Sequence, residues 1–474
     1  MLPKEFRDYT RNLMGEELYA CLEHGLTEEE SPVSIRLNPM KWNGEGNITN
    51  EDTYVPWCPA TGRYLSQRPN FTFDPLFHAG LYYVQEASSM FVDLVVRQLI
   101  KHPIVMLDLC AAPGGKSTAL RSALPMGSLL VSNEPMRTRA QILSENIQKW
   151  GDPDVFVTNN YPRDFRKSKM QFDAILADVP CSGEGMFRKD AGAINEWSTQ
   201  NVKNCWTLQR EIIEDIWPCL KPGGILIYST CTFNAHEDEE NVEWIIKELD
   251  AEPISVQTEP AWNITPNLIS TFPVYRFLPG KTKGEGLFLA VLRKKGELIL
   301  NKDNGKPNKT ESRKNKKDNK QKGAKVFTIP EGWLKGTDNT FLSIQKDDAL
   351  YALPAQWMSY WQEASKSLHV LHAGIKVGTQ KGKDLIPAQS LALSTILHRE
   401  AFCSYELNYT DAIAFLRKET IVLPEECPKG YVLLTYRNVA IGWGKNLGNR
   451  VNNLYPQEWK IKSTHIPEEP RVIL

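Results

Sequence analysis

Residues 104–117 read Ile-Val-Met-Leu-Asp-Leu-Cys-Ala-Ala-Pro-Gly-Gly-Lys-Ser, and no other stretch of the 474-residue chain constrains its fold as strongly. Ile104 to Leu109 is a short apolar run rich in branched residues, as a strand buried on both faces should be, and it stops at a Pro-Gly-Gly turn. Ser117 to Leu124 then takes up helical spacing. Strand, tight loop and helix in that order put backbone N–H groups and a helix N-terminus at the carboxyl end of a parallel sheet, where doubly wound folds bind their ligands.

Three readings of the loop compete. A phosphate-binding P-loop is supplied at its end by Gly115-Lys116-Ser117, but Cys110 stands where its first glycine should be. A plain sheet-to-helix turn needs only the glycines. A cradle for S-adenosylmethionine needs a carboxylate ending the next strand to hold ribose hydroxyls, and Glu134 follows the strand expected over Ser128 to Ser132. Spacing alone leaves all three open.

The length allows two or three domains, and 41% hydrophobic with 24% charged residues fits a soluble globular protein. The opening M-L-P-K-E-F-R-D-Y-T lacks the basic-then-apolar order of a secretory signal, and no apolar run approaches a membrane span. A cytoplasmic location with no membrane partner is the expectation. The nine cysteines are scattered without a Cys-x-x-Cys pair, so reduced thiols and no metal centre are expected. A net charge of -1 hides an uneven balance, since residues 301–325 hold ten basic side chains against three acidic ones. A polyanion would be gripped by local patches and this tract, which serves equally well as a solvated linker.

Along the chain, residues 4–22 carry Phe6, Leu13, Leu18 and Leu22 at helical spacing, and Arg36 and Asn38 alternate with Ile35 and Leu37 as in a half-buried strand. Gly80 to Arg97 reads as a turn followed by a helix. From Ile104 strands and helices alternate: helix over Pro135 to Trp150, strands over Val155 to Thr158 and Phe172 to Asp178, a long helix over Asn195 to Trp217, and a strand over Ile225 to Ser229. Asn234 with Glu237 resembles a capping box for a helix reaching Leu249. Pro273 to Leu278 and Leu287 to Leu292 look like a hairpin. The fold class expected is α/β: a doubly wound, Rossmann-like sheet with an antiparallel element at its end, a small N-terminal lobe and C-terminal α+β domains. The boundaries expected are 1–100 for the lobe, 101–296 for the core, 297–325 for a disordered basic linker, 326–400 for an intermediate domain and 401–474 for a compact, largely β module. In the tail Trp357, Trp361, Trp443 and Trp459 read as core, and Lys376, Lys381 and Lys383 as the exposed contact patch.

Two cysteines sharpen the picture. Asp178-Val179-Pro180-Cys181-Ser182-Gly183 follows one buried strand and Ser229-Thr230-Cys231-Thr232 follows another. In a parallel sheet both turns emerge on the edge that carries the Cys110 to Lys116 loop, so all three can share one crevice.

In order and spacing, C-A-A-P-G-G-K, D-V-P-C-S-G-E-G and Y-S-T-C-T-F-N resemble the RNA (cytosine-5) methyltransferase family. S-x-R-x-N, Y-Y-V-Q-E-A-S-S and G-E-G-L-F-L-A-V-L-R are similar to it as well, so the likeness covers about the first 295 residues. The tail resembles the RNA-binding extensions, ending in a PUA-like module, of members acting on small-subunit rRNA. The resemblance implies RNA as partner, S-adenosylmethionine as cofactor and a monomeric enzyme. It assigns the nucleophile to Cys231, release of the product to Cys181 and a hydrogen bond to the base to Asp178, with Lys116 near both ligands. Cys110, Ala111, Ala112, Pro113, Gly114, Gly115 and Lys116 would wrap the methionine part, Glu134 would hold the ribose, and Asp178 would border the cofactor too. The family usually has an aspartate near the adenine after the third strand. Here that segment is T-N-N-Y-P-R-D, leaving Asn160 or Tyr161 in its place, with Asp164 the acidic residue nearby.

The residue types suit that chemistry. Cytosine C5 is a poor nucleophile until a thiolate adds at C6, and a base must then take the C5 proton before the thiol leaves. DNA cytosine-5 methyltransferases use the cysteine of the Pro-Cys pair as nucleophile, which would reverse the roles of Cys181 and Cys231. The same motifs leave room for a tRNA substrate, and for a non-catalytic RNA-binding factor in ribosome assembly.

Overall fold

The computed structural model describes residues 2–42, 53–297, 328–336, 340–463 and 473. The basic tract at 301–325 lies outside them.

Five parallel strands form the centre of the molecule, in the order Leu220–Thr230, Phe172–Asp178, Val105–Asp108, Leu129–Asn133 and Val155–Thr158. Their apolar runs have no polar alternation because both faces are covered. Met106, Leu130, Val157 and Leu176 face one layer, with Val92 and Val96 of the Phe91–Leu99 helix and Leu120 of the Gly115–Ala123 helix. Val105, Leu107, Val131 and Ile175 face the other, with Ile213 of the Thr199–Ile216 helix and Ile245 of the Glu239–Glu248 helix. Each such side chain removed from water contributes roughly 1.5–3 kcal/mol. Strand order reverses on either side of Val105–Asp108, which opens a crevice at the carboxyl ends of that strand and of Phe172–Asp178.

Antiparallel strands complete both edges. Leu287–Lys294 pairs with Leu220–Thr230 and in turn takes Tyr275–Phe277 as the expected hairpin partner, together with Ala251–Pro253. At the far edge Val370–Ala373 pairs with Val155–Thr158. This strand falls within the expected 326–400 unit, yet it belongs to the central sheet, and Leu353, Trp357 and Ala364 continue the same core cluster. Such a pairing across distant sequence leaves no local signature.

The N-terminal Lys4–Thr27 helix, kinked at Gly15, buries Phe6, Leu22 and Leu26 against Phe187, Phe233 and Leu278. A small antiparallel sheet follows, in the order Thr53–Tyr54, Gly62–Leu65, Val33–Leu37 and Tyr82–Val84. Two expectations fail here. Tyr82–Val84 is a strand rather than part of a turn, because Val33–Leu37 offers it a partner. Arg36 and Asn38 are buried, because that face packs on the core: Arg36 donates to Gln85 Oε1 at 2.7 Å and lies 4.6 Å from the Trp150 ring centroid, and Asn38 Nδ2 donates to the Trp150 carbonyl at 3.0 Å.

The expected long helix over 195–217 is broken in two, Ala191–Glu196 and Thr199–Ile216. Ser198 takes the break by accepting the Asn201 N–H at 3.1 Å, an N-cap hidden inside a helical pattern. Beyond the core lie two four-stranded sheets, one running from Phe341–Lys346 to Asp384–Pro387 and one from Cys403–Glu406 to Val451–Asn453. The second packs its Tyr409–Leu416 helix against the N-terminal lobe, where Tyr409 Oη donates to the Phe73 carbonyl at 3.1 Å. Trp357 and Trp443 are buried, Trp361 and Trp459 half-buried, and Lys381 and Lys383 exposed, with Lys376 half-buried. Among the described residues no helix is long and apolar enough to cross a membrane.

Candidate active site

Asp178 ends one central strand and stands in register with Ser229 near the end of its neighbour, so the turns that follow both emerge side by side. They bring the Cys181 and Cys231 sulfurs to 3.2 Å, and the Cys231 N–H points at the Cys181 sulfur from 3.4 Å. One residue further on, Ser182 Oγ and Thr232 Oγ1 meet at 3.0 Å. Lys116 reaches in from the loop after the first strand and pairs with Asp178 Oδ2 at 2.8 Å, while Ser229 Oγ donates to Asp178 Oδ1 at 2.7 Å. The four predicted residues Cys181, Cys231, Asp178 and Lys116 therefore sit in one place.

Their protonation differs. The hydrogen bond with Cys231, followed by burial, pushes the Cys181 thiol well above its ordinary range, which keeps it protonated at neutral pH. Burial works against the Lys116 ammonium, but the facing Asp178 carboxylate outweighs it and holds the amine charged.

Two carboxylates held in place by the cysteine turns were not legible as site residues. Glu184 Oε2 accepts the N–H groups of Phe233 at 2.7 Å and Asn234 at 3.1 Å, just past Cys231 in the chain. Glu237 Oε2 accepts the Ser182 N–H at 3.0 Å, directly after Cys181. The expected capping box is therefore a correction: Asn234 and Glu237 do bond each other, but within a turn that ends before the helix begins at Glu239, because Glu237 is drawn to the Cys181 turn. Arg276, buried between Asp238 and Glu239, closes the set by donating to the Phe233 carbonyl at 2.9 Å. For Glu184 the available signal was its place inside D-V-P-C-S-G-E-G.

The Cys110 to Lys116 loop carries Gly114 at a left-handed φ of 117°, a conformation that other residues adopt only with strain, and Gly115 starts the helix. Around it stand two buried carboxylates, each with an oxygen that lacks a hydrogen bond among the described residues, Glu134 Oε2 and Asp108 Oδ1. Arg139 Nη1 approaches the first to 3.5 Å, an ion-pair distance only. Glu134 Oε1 accepts the Met136 N–H at 3.0 Å and Asp108 Oδ2 accepts the Ser117 hydroxyl at 2.6 Å, so each carboxylate is fixed with one acceptor left over. Burial lifts the Asp108 carboxyl to about 7. A ligand bringing hydroxyl and amine donors satisfies both acceptors, as the ribose and amino group of S-adenosylmethionine do. A polyphosphate would bring only further acceptors to these two, which counts against the P-loop reading.

The adenine side needs correction. The Asn160 amide is engaged by the backbone: Oδ1 accepts the His369 N–H at 2.9 Å and Nδ2 donates to the His369 carbonyl at 3.3 Å. Asp164 is used as a helix cap, accepting the Tyr161 N–H at 3.0 Å. Of the three candidates, Tyr161 presents a half-exposed ring. Among the described residues no group of His, Cys, Asp and Glu has metal-ligand clustering.

The closeness of the two sulfurs is directly testable. Treating the folded protein with a diazenedicarboxamide, which takes up both thiol hydrogens as the sulfurs join, is expected to remove Cys181 and Cys231 together in peptide mapping, and dithiothreitol to restore them. Both remaining free would contradict the 3.2 Å separation.

A doubly wound sheet with this cradle at its switch point defines a methyltransferase with a Rossmann-like core. Three family models match in succession: the N-terminal domain of 16S rRNA methyltransferase RsmF over residues 2–87, 16S rRNA methyltransferase RsmB/F over 100–293, and the methyltransferase RsmF PUA domain over 402–461. Together the three models span most of the chain, and all three describe methyltransferases of the RsmB/F type. Ribosomal RNA small subunit methyltransferase F of Pectobacterium atrosepticum is 29% identical over 96% of this chain and 95% of its own length, and that of Salmonella agona 29% over 90% and 86%. Among solved structures, a methyltransferase homologue from Pyrococcus horikoshii is 26% identical with a TM-score of 0.53, over 62% of this chain and 95% of that one. NSun6 from the same organism, solved with SFG, gives 22% and 0.53 over 62% and 99%, a likeness of fold.

Proposed function

We propose that this chain transfers a methyl group from S-adenosylmethionine to C5 of a cytosine in 16S rRNA, through a covalent bond between Cys231 and C6 of the base. Methyl transfer to small-subunit rRNA is supported by the three family models and the curated relatives. The choice of cytosine C5 is carried by one observation, the paired Cys181 and Cys231 sulfurs beside Asp178 and Lys116.

Each residue then has a task set by its surroundings. The cofactor supplies an electrophilic methyl group on a sulfonium, and Glu134, Asp108 and the Cys110 to Lys116 loop are the groups that hold it. Cys231, as thiolate, adds to C6 and makes C5 electron-rich. Asp178 accepts a hydrogen bond from protonated N3 of the ring and favours that addition, with Lys116 fixing the carboxylate. Cys181 enters the reaction as a protonated thiol and serves release of the product, in which a base takes the C5 proton while the C6–sulfur bond breaks and its electron pair returns to Cys231 as thiolate. The base must be extruded from its helix, because C6 is reached only from its face. Action in the cytoplasm by a monomer is part of the same proposal.

Bisulfite sequencing of 16S rRNA from a strain lacking the protein decides this reading. One or more unconverted cytosines in the parent are expected to become fully convertible in the deletion, and to be restored by the wild-type chain but not by Cys231→Ala. An unchanged pattern, with methylation found on tRNA instead, would redirect the substrate.

A further inference from the structure

Glu184 is 1% exposed, and among the described residues it has no ion-pair partner. An unpaired buried carboxylate costs several kcal/mol unless hydrogen bonds replace its water. Here four donors do so: the Phe233 and Asn234 N–H groups on Oε2, and Trp197 Nε1 at 3.0 Å and Asn234 Nδ2 at 3.1 Å on Oε1. Each of its two oxygens is thus taken up by two donors.

What those donors belong to is informative. Phe233 and Asn234 are the second and third residues after Cys231, and the carbonyl of Cys231 itself accepts the Gly185 N–H at 2.8 Å. A side chain on Gly185 would lie 2.8 Å from that same oxygen. Residues 184 and 185 therefore hold the Cys231 turn by its carbonyl and by the amides that follow. They also lie three and four residues after Cys181. One short segment thus carries one thiol and grips the backbone of the other. The N-terminal helix supports it from outside, with the Phe6 ring 5.2 Å from Phe187 and 5.8 Å from Trp197, and Tyr9 Oη accepting the Ala235 N–H at 3.2 Å.

We propose that Glu184 is a positioning residue for the Cys231 thiol, acting through the amides of Phe233 and Asn234 to fix its distance from Cys181 and from the target base. This rests on the cytosine reading above. It gives the N-terminal helix a role in catalysis as well, as the support behind Glu184.

The test uses full-length Glu184→Ala and Glu184→Gln. For Glu184→Ala, kcat for RNA methylation is expected to fall roughly 100-fold, the scale of a 1 Å misplacement, while KM for RNA and the affinity for S-adenosylhomocysteine stay within about twofold of wild type. Glu184→Gln keeps an acceptor for the two amides and should recover part of the loss; it also decides the matter if the alanine variant does not fold. A second readout needs no RNA: the pH profile of Cys231 alkylation by iodoacetamide in a Cys181→Ala background should move when Glu184 is replaced. Unchanged kcat, or a loss of kcat matched by equal losses in KM and cofactor affinity, would overturn the proposal. If the wild type methylates no cytosine, the cytosine reading fails, and an unmoved alkylation profile would then refute the positioning role independently.

Discussion

Cys231→Ala is expected to abolish both methyl transfer and the covalent RNA adduct, whereas Cys181→Ala should let an adduct accumulate that survives on a denaturing gel. The asymmetry comes from the surroundings of two sulfurs only 3.2 Å apart. Cys181 is held protonated by its contact with Cys231 and by burial, so it is poorly suited to attack. Lys116 stands beside this centre with its charge held by the Asp178 carboxylate. Loss of the attacking group should lower the rate by at least about 10⁴-fold, as for other covalent catalysts. An adduct that persists in Cys231→Ala and vanishes in Cys181→Ala would invert the roles and place the chemistry with the DNA cytosine-5 enzymes.

Glu134→Ala should weaken S-adenosylhomocysteine binding by roughly 10- to 100-fold, the worth of a charge-assisted hydrogen bond to a buried acceptor. Its Oε2 accepts no hydrogen bond among the described residues and meets Arg139 only at ion-pair distance, which leaves an acceptor open to a ligand. Glu134→Gln keeps the Met136 contact and should melt near the wild-type temperature. Titration calorimetry reads both variants. Equal affinity in Glu134→Ala would remove this carboxylate from the cradle, and binding of ATP to the wild type would revive the P-loop reading.

The legible parts of this chain were those with a local physical signature. Val105–Asp108 and Phe172–Asp178 are uninterrupted apolar runs closed by turn residues, and Cys181 and Cys231 fall on the turns after such runs. Parallel pairing then places those turns on one edge without further information. Contacts made across long sequence separations were hidden. Arg36 and Asn38 alternate like an exposed face, and only the docking of the lobe on Trp150 buries them. Glu184 looks like a solvated charge until the amides of Phe233 and Asn234 are brought to it. Asn160 occupied the place of a ligand contact, and the backbone of His369, distant in sequence, had already claimed it.

The strand Val370–Ala373 also says something about how the molecule is made. While the chain emerges from the ribosome, Val155–Thr158 can pair with Leu129–Asn133 on one side, but its outer edge has to wait until Val370–Ala373 is synthesised. Closure of the catalytic sheet is therefore a late event, reached by a slow long-range search. A chain ending before Val370 would leave the outer edge of Val155–Thr158 without this cover.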